Sequence, residues 1–549
     1  MSFPEKLDLR EHGLVTEVKS QKPWGSCWSF GTIAASESSI LSMLGMTAED
    51  YEARYGKPFD LSERHLAWFM AHPLPDALAY SPEEYPYDPS QAGEGLYPLK
   101  SAHTDILELG GNMMFSTFAL AAGMGVVEEE LAPYQSKEGT LQTEDDWSLD
   151  ESMRFTQLFE LKDANILPSP AGRDAENKYI YQPEGTESMK SELMKGRAVL
   201  LTYTADTCKD DPDLNDPEGW PLTYVCQVEY DGALVYAQYT DDELVSDHVV
   251  CVVGWDDAFP ASAFPQAHRP PADGAWIVKN SWGESWGNAG YFYLSYYDKC
   301  ICSVETFEFI HPDDVKGLDH PNLLQYDYLP SALISSTLFD KPVYAANVFP
   351  VQEGSVLQYV SAMTGDGNAN VTVSIYRMGE NAAAPDDGQL LCSVTQRFPF
   401  AGYHRISLPE SLILHAGERI GITVLERVGG TDGAKYALVN ACGLNEKGAE
   451  TFAANQPKEI EELERYWHAV VNPGESFVRF PGEDWIDWAE VIAALGNNPS
   501  LSLMTFDNLP IKSFVYPLDQ AVDSHRFEAQ GSDPENKVMI CTECGYVLK

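Results

Sequence analysis

Gln21-Lys22-Pro23-Trp24-Gly25-Ser26-Cys27-Trp28 is a turn-rich stretch that runs directly into a helical pattern. Behind it Phe30, Ile33, Ala34, Ile40, Leu41 and Leu44 recur at helical spacing, so a helix is expected from about Ser26-Cys27, with Ser26 as its cap. A cysteine at a helix N-terminus sits where the aligned backbone dipoles place partial positive charge. That favours thiolate over thiol, and the thiolate is the nucleophile. Attack of a thiolate on an amide carbonyl creates an oxyanion, which needs donors already aimed at it. The Gln21 side-chain amide and the backbone N–H of Cys27 are candidates for that task.

Working outward, two more blocks carry chemistry. Asp247-His248-Val249-Val250-Cys251-Val252-Val253-Gly254-Trp255 reads as a buried strand opened by a histidine. Such a ring is held by its strand and can meet a partner. Trp276-Ile277-Val278-Lys279-Asn280-Ser281-Trp282-Gly283 places Asn280 just after an apolar strand and before a Trp- and Gly-rich turn. An Asn side chain can accept the N–H of a histidine ring and fix its orientation. Trp282 is placed to cover that bond from water, and Asp247 reads as a solvated neighbour of the histidine.

Taken together and in this order, the three blocks resemble the papain-like cysteine peptidases, whose Cys block is Cys-Gly-Ser/Ala-Cys-Trp/Tyr. The resemblance implies Cys27 as nucleophile, His248 as acid–base, Asn280 as the residue that orients the histidine and Gln21 as the oxyanion-hole amide. Leu61-Ser62-Glu63-Arg64 and Gly110-Gly111-Asn112 are further matches. By the same resemblance Gly110 and Gly111 bind the substrate backbone; Met113 and Met114 follow the glycine pair and, from that position alone, are candidates for an apolar wall. The fold implied is an α+β two-lobe peptidase domain, with a helical left lobe and a β-barrel-like right lobe. Trp24 stands where the family has a cysteine, so the usual disulfide is absent, and Lys22 stands where glycine is usual. From Cys27 to His248 and Asn280 the chain runs well beyond the roughly 130–150 residues usual in this family. Insertions are therefore expected in about 45–105 and 135–245, which surface loops tolerate at small entropic cost. Residues 72–105 read as a long surface loop, 205–220 as an Asp-rich excursion, and Leu14 to Lys19 as a strand.

After about residue 310 the texture changes to period-two segments: Val371 to Tyr376, Tyr403 to Leu408 and Ile420 to Leu425, with turn clusters between strand candidates. Short strands so spaced suggest an all-β sandwich. This region resembles the lectin-like module that some bacterial and archaeal papain-like peptidases carry, which implies either a glycan or cell-surface ligand or a structural partner that covers or positions the peptidase. The expected division is a peptidase domain at 1–310, a linker at 311–324, a β-sandwich at 325–516 and a polar tail at 517–549.

Composition narrows the partners. The 84 acidic against 36 basic residues give a net charge of −48, with no basic cluster, so nucleic acid is not expected. No run of 18 apolar residues is present, so no membrane span is expected. The start, Met1-Ser2-Phe3-Pro4-Glu5, has no signal-peptide pattern. The family implies an extracellular or cell-surface place, while the start taken alone allows a cytoplasmic one. Ten cysteines are sparse for 549 residues; Cys208 and Cys226 are the pair whose loop would allow a disulfide. Cys541-Thr542-Glu543-Cys544 resembles half of a zinc ribbon, but a structural zinc takes four ligands and no second pair follows, so no metal and no cofactor is expected. The activity expected is peptide hydrolysis through a Cys27 thioester. The competing reading is a carbohydrate- or surface-binding protein with a vestigial peptidase domain; the intact Cys, His, Asn and Gln set argues against it.

Overall fold

The computed structural model describes residues 3–75, 93–99, 107, 110–136, 139–140, 147–206, 224–311, 321–331, 333–429, 433–454 and 465–517, with three short strands at 527–530, 538–541 and 547–548. Cys208, Cys544 and most of the Asp-rich excursion at 205–220 lie outside the described residues. The chain forms two units. The first holds Met1–Phe309, Pro330–Ala332 and Leu444–His468; the second holds Ile310–Leu329, Leu333–Gly443 and Ala469–Lys549.

In the first unit, helix α1 (Cys27–Leu44) is buried along most of its length, as its small and apolar residues allow. It stops at Gly45, whose φ of +63° lets its N–H turn back to the carbonyls of Leu41 and Ser42. Helices α2 (Ala48–Tyr55), α3 (Glu63–Ala71) and α4 (Met113–Ala121) follow. Ser62 caps α3 by accepting from His65 N, and Asn112 caps α4 by accepting from Phe115 N. Pro183–Leu193 forms α5.

The strands of this unit are β1 (Lys6–Asp8), β2 (Gly95–Pro98), β3 (Leu161–Ile166), β4 (Val199–Tyr203), β5 (Val225–Tyr230), β6 (Ala233–Gln238), β7 (His248–Asp256), β8 (Ala275–Lys279), β9 (Tyr291–Ser295) and β10 (Val304–Phe309). One sheet runs in the order β3-β10-β4-β7-β8-β9-β6-β5, with β1 added to β7. Its pairs are antiparallel except β6 with β9. Every residue of β7 is buried, which suits its run of β-branched valines. α1 lies on this sheet at close range because residue 31 is glycine. A Cβ there would stand 2.5 Å from Leu200 Cδ1 and 3.1 Å from Val249 Cγ1.

The second unit is a β-sandwich. One sheet holds β11 (Asn322–Leu324), β14 (Ser355–Thr364), β17 (Ala401–Leu414) and β22 (Ile511–Pro517), in the order β11-β22-β14-β17. The other is built on β12 (Leu333–Phe339), β13 (Tyr344–Pro350), β18 (Arg419–Val428), β19 (Lys435–Leu444) and β21 (Ser476–Arg479), while β15 (Ala369–Met378) pairs with both β18 and β16 (Gly388–Phe398). Burial alternates along β15 as a half-buried strand requires. Val360, Ile406, Val373 and Ile422 are among the apolar residues that fill the core. Between β19 and β21 the chain passes through the first unit as helix α6 (Glu446–Ala453) and strand β20 (Arg465–His468).

Three expectations are corrected here. Leu14 to Lys19 is not a strand: side chains hold it instead of a ladder, with Lys279 Nζ donating to Thr16 O at 3.0 Å and Lys19 Nζ bonding Glu63 at 2.9 Å. Within 72–105, residues 95–98 form a strand, buried at Gly95 and Leu96, rather than surface loop, because β20 pairs with them. Asn322–Leu324, inside the expected linker, is β11, paired with β22. The tail carries three short paired strands, at 527–530, 538–541 and 547–548.

Candidate active site

Three local structures deliver the site. Cys27 is the first residue of α1 and is 9% exposed. Ser26 precedes it but does not cap the helix, contrary to expectation: its hydroxyl pairs at 2.7 Å with Tyr134 Oη. The positive end of α1 is thus not neutralised by that side chain, which keeps it available to a thiolate. His248 is the first residue of β7, opposite Tyr203 of β4. One turn into α1, Gly31 rests on Val249, the residue after His248, so helix start and strand start lie side by side.

Asn280 arrives through register. β8 runs antiparallel to β7 with Lys279 opposite Cys251, so the chain leaving β8 passes the beginning of β7. His248 Nε2 and Asn280 Oδ1 meet at 2.8 Å, and both residues are buried. With Nε2 committed to this acceptor, Nδ1 is the ring nitrogen that can exchange a proton with a thiol. The indole of Trp282 stacks on the imidazole at 4.6 Å and 24°, and Trp286 buttresses that indole edge-on at 5.0 Å. The Tyr203 ring also lies near, 6.0 Å from the imidazole and tilted by 53°. Burial first, then the neighbouring Asp247, Asp298 and Cys27, raise the Tyr203 phenol well above its ordinary value, so it stays protonated. The Asp247 carboxylate accepts from Ala205 N at 2.9 Å and so serves the adjoining turn.

Gln21 is tied to the Asn280 block. Ser20 bridges to Trp282, and Gln21 N donates to Ser281 O at 2.8 Å. Ser281 Oγ donates to Gln21 Oε1 at 2.7 Å, and Ser281 N donates to Asn280 Oδ1 at 2.8 Å. One residue therefore orients both amides. Gln21 Nε2 spends one hydrogen on Trp24 O at 3.1 Å, which leaves its second to be aimed elsewhere. The backbone carbonyl of Gln21 accepts from Tyr134 Oη.

Trp24 is not exposed by the loss of the family's cysteine. It packs edge-on against Trp147 at 5.8 Å, and Trp147 packs on Tyr134, which packs on Phe30. Trp24 is thus part of a buried aromatic cluster. Gly110 has a φ of +65°, and a Cβ on Gly111 would stand 2.5 Å from the Trp28 ring. The glycine pair therefore lies against the residue that follows Cys27. Met113 is buried and Met114 half-buried at the start of α4.

Sequence reasoning missed Ser281, Tyr134 and Tyr203. Ser281 sits inside the Asn280 block, and its hydroxyl between two amide-bearing residues was a usable signal. Tyr134 and Tyr203 come from distant segments and had none. Among the described residues no cluster of His, Cys, Asp and Glu could hold a metal, and no helix is long and apolar enough to cross a membrane.

Comparisons with known proteins bear on the family and the fold. Residues 3–50 and 223–311 match the family model of papain family cysteine proteases, and 323–499 match that of a lectin-like domain. "Peptidase 1" of Psoroptes ovis is 24% identical over 307 residues, 56% of this chain and 65% of that protein. "Cysteine proteinase 15A" of Pisum sativum is 24% identical over 305 residues, 56% of this chain and 61% of that protein. The chain thus spans less than two thirds of the length of these relatives. The clostridial cysteine protease Cwp84, solved after propeptide cleavage, superposes with a TM-score of 0.61 at 19% identity, over 93% of this chain and 99% of that one. A second structure, of the cysteine protease and lectin-like domains of Cwp84, described as a surface layer associated protein of Clostridium difficile, gives 0.60 at 18%, over 94% and 90%. At such identity these likenesses speak for the fold. The chain carries a papain-family cysteine protease domain followed by an all-β lectin-like domain.

Proposed function

We propose that this protein hydrolyses peptide bonds through a Cys27 acyl-enzyme. The substrate backbone lies along Gly110–Gly111. The Cys27 thiolate attacks the scissile carbonyl carbon, and the oxyanion is met by the second Nε2 hydrogen of Gln21 and by Cys27 N–H. His248 Nδ1–H gives its proton to the leaving amine as the C–N bond breaks. A water then loses a proton to His248, attacks the thioester carbonyl, and the sulfur departs as thiolate.

The observation that carries the reading is the 2.8 Å His248–Asn280 bond under Trp282, joined through Ser281 to the Gln21 amide. A histidine in a merely structural core has no need of an amide, a stacked indole and a second oriented amide beside a cysteine at a helix start. By analogy with the surface-associated clostridial neighbour we place the chain at the cell surface or outside the cell, with a glycan or other surface ligand for the β-sandwich. The test is a peptide-library profile of wild type beside Cys27→Ala, with labelling by iodoacetamide and by an epoxysuccinyl-peptide reagent. Cleavage and both labels at residue 27 should vanish in the variant. Hydrolysis undiminished by Cys27→Ala, or glycan-array binding with no cleavage by wild type, would overturn the reading.

A further inference from the structure

The peptidase unit contains a segment that a linear reading assigns to the β-sandwich. Strand β20 lies antiparallel on β2, with Leu96 opposite Trp467, Tyr97 opposite Tyr466 and Pro98 opposite Arg465. The rings of Tyr97 and Tyr466 stack at 5.4 Å, and Trp467 Nε1 donates to Pro330 O at 2.9 Å. This pairing brings Arg465 into the helical lobe, where it is 5% exposed. Its guanidinium lies 5.1 Å over the ring of Phe115, and Nη1 donates to Gly110 O at 2.8 Å. The same Phe115 ring meets Trp28 edge-on at 6.3 Å.

The Gly110–Gly111 peptide is therefore held at both ends. Arg465 pulls on the Gly110 carbonyl, and the Trp28 indole presses on Gly111 with no room for a Cβ. In a trans peptide the C=O of one residue and the N–H of the next point in opposite directions. Fixing the Gly110 oxygen on Arg465 therefore aims the Gly111 N–H the other way. Two glycines in sequence have little intrinsic preference for any one peptide-plane orientation, so an external tether has a large effect on this one.

We infer that Arg465 is a positioning residue for substrate: it sets the Gly110–Gly111 peptide plane so that Gly111 N–H is presented to the substrate backbone. The inference rests on the peptidase reading above. Part of the substrate-binding edge is thus supplied by Leu444–His468, which lies within the span that matches the lectin-like domain.

The experiment uses the full chain and two alkylating reagents. Alkylation at residue 27 by iodoacetamide requires only the Cys27 thiolate; an epoxysuccinyl-peptide reagent must also lie along the glycine edge. Arg465→Met keeps an apolar stem against Phe115 but removes the donors, and Arg465→Lys restores one donor. In Arg465→Met the second-order rate with the epoxysuccinyl peptide should fall at least tenfold. KM for a library-derived peptide should rise by a similar factor, with kcat and the iodoacetamide rate within twofold of wild type. Arg465→Lys should recover part of the loss. A fall in both labelling rates together, or an unchanged epoxysuccinyl rate, in Arg465→Met would overturn the inference, as would no recovery in Arg465→Lys. Failure of iodoacetamide to label Cys27 in wild type would instead count against the peptidase reading.

Discussion

Asn280→Ala tests the site at its centre. Asn280 Oδ1 accepts from the His248 ring at 2.8 Å and from Ser281 N at 2.8 Å, with both histidine and asparagine buried. Removing the acceptor leaves the ring N–H unpaired where Trp282 covers the ring. A buried donor left unsatisfied costs about 1–3 kcal/mol, and bonds to a charged group about 1.5–3 kcal/mol. The imidazole becomes an imidazolium when the thiol ionises, so the upper part of that range applies to the reactive state. A loss of about 2–3 kcal/mol corresponds to roughly 30- to 160-fold in kcat/KM at about 1.4 kcal/mol per decade. The assay is kcat/KM on a library-derived peptide for wild type, Asn280→Ala, Trp282→Ala and the double variant. Because Trp282 stacks on the ring at 4.6 Å, removing it admits water that can replace the lost acceptor. The Asn280→Ala penalty should therefore shrink in the Trp282→Ala background, with a coupling of about 0.5–3 kcal/mol between these contacting positions. A loss below threefold in Asn280→Ala, or equal penalties in both backgrounds, refutes the argument.

Two further outcomes are expected. Ser281→Ala frees Gln21 Oε1 from its 2.7 Å bond and should lower kcat about fivefold, for a loss of about 1 kcal/mol; Gln21→Ala removes the donor itself and should cost about 10²–10³ in kcat. A Ser281→Ala defect as large as that of Gln21→Ala would contradict the orienting role. Glu305 is fully buried beside Thr117, and burial pushes its carboxyl up to about 8 from 4.5, against the lowering effect of Thr117. A raised carboxyl contributes stability that is complete below 4.5 and is lost as pH rises through 8. Thermal unfolding of Glu305→Gln beside wild type should therefore shift in favour of the variant between pH 5 and 9, by at most about 4–5 kcal/mol. A Tm difference that does not change with pH would show that Glu305 is not held neutral in the fold.

The residues that do the proposed chemistry were legible because each belongs to a short block whose local structure is decided by its neighbours. Turn residues before a helical pattern place Cys27 at the start of α1, a valine run makes β7 a buried strand opened by His248, and Ala275 to Lys279 ends where Asn280 begins. The period-two segments after residue 350 likewise announced the sandwich strands. Near neighbours in sequence need little loop-closure entropy to meet, so their pattern is informative on its own. What only the tertiary structure decided involves partners far apart in the chain. Ser26 reads as a cap but bonds Tyr134, and Leu14 to Lys19 reads as a strand but is held by buried ion pairs. Trp24 packs on Trp147, a partner more than a hundred residues away. Residues 95–98 read as loop and become a strand because β20 pairs with them. Each depends on a tyrosine, lysine, tryptophan or strand edge whose energy of burial is realised only once the chain has folded back on it, and no local pattern encodes where that happens.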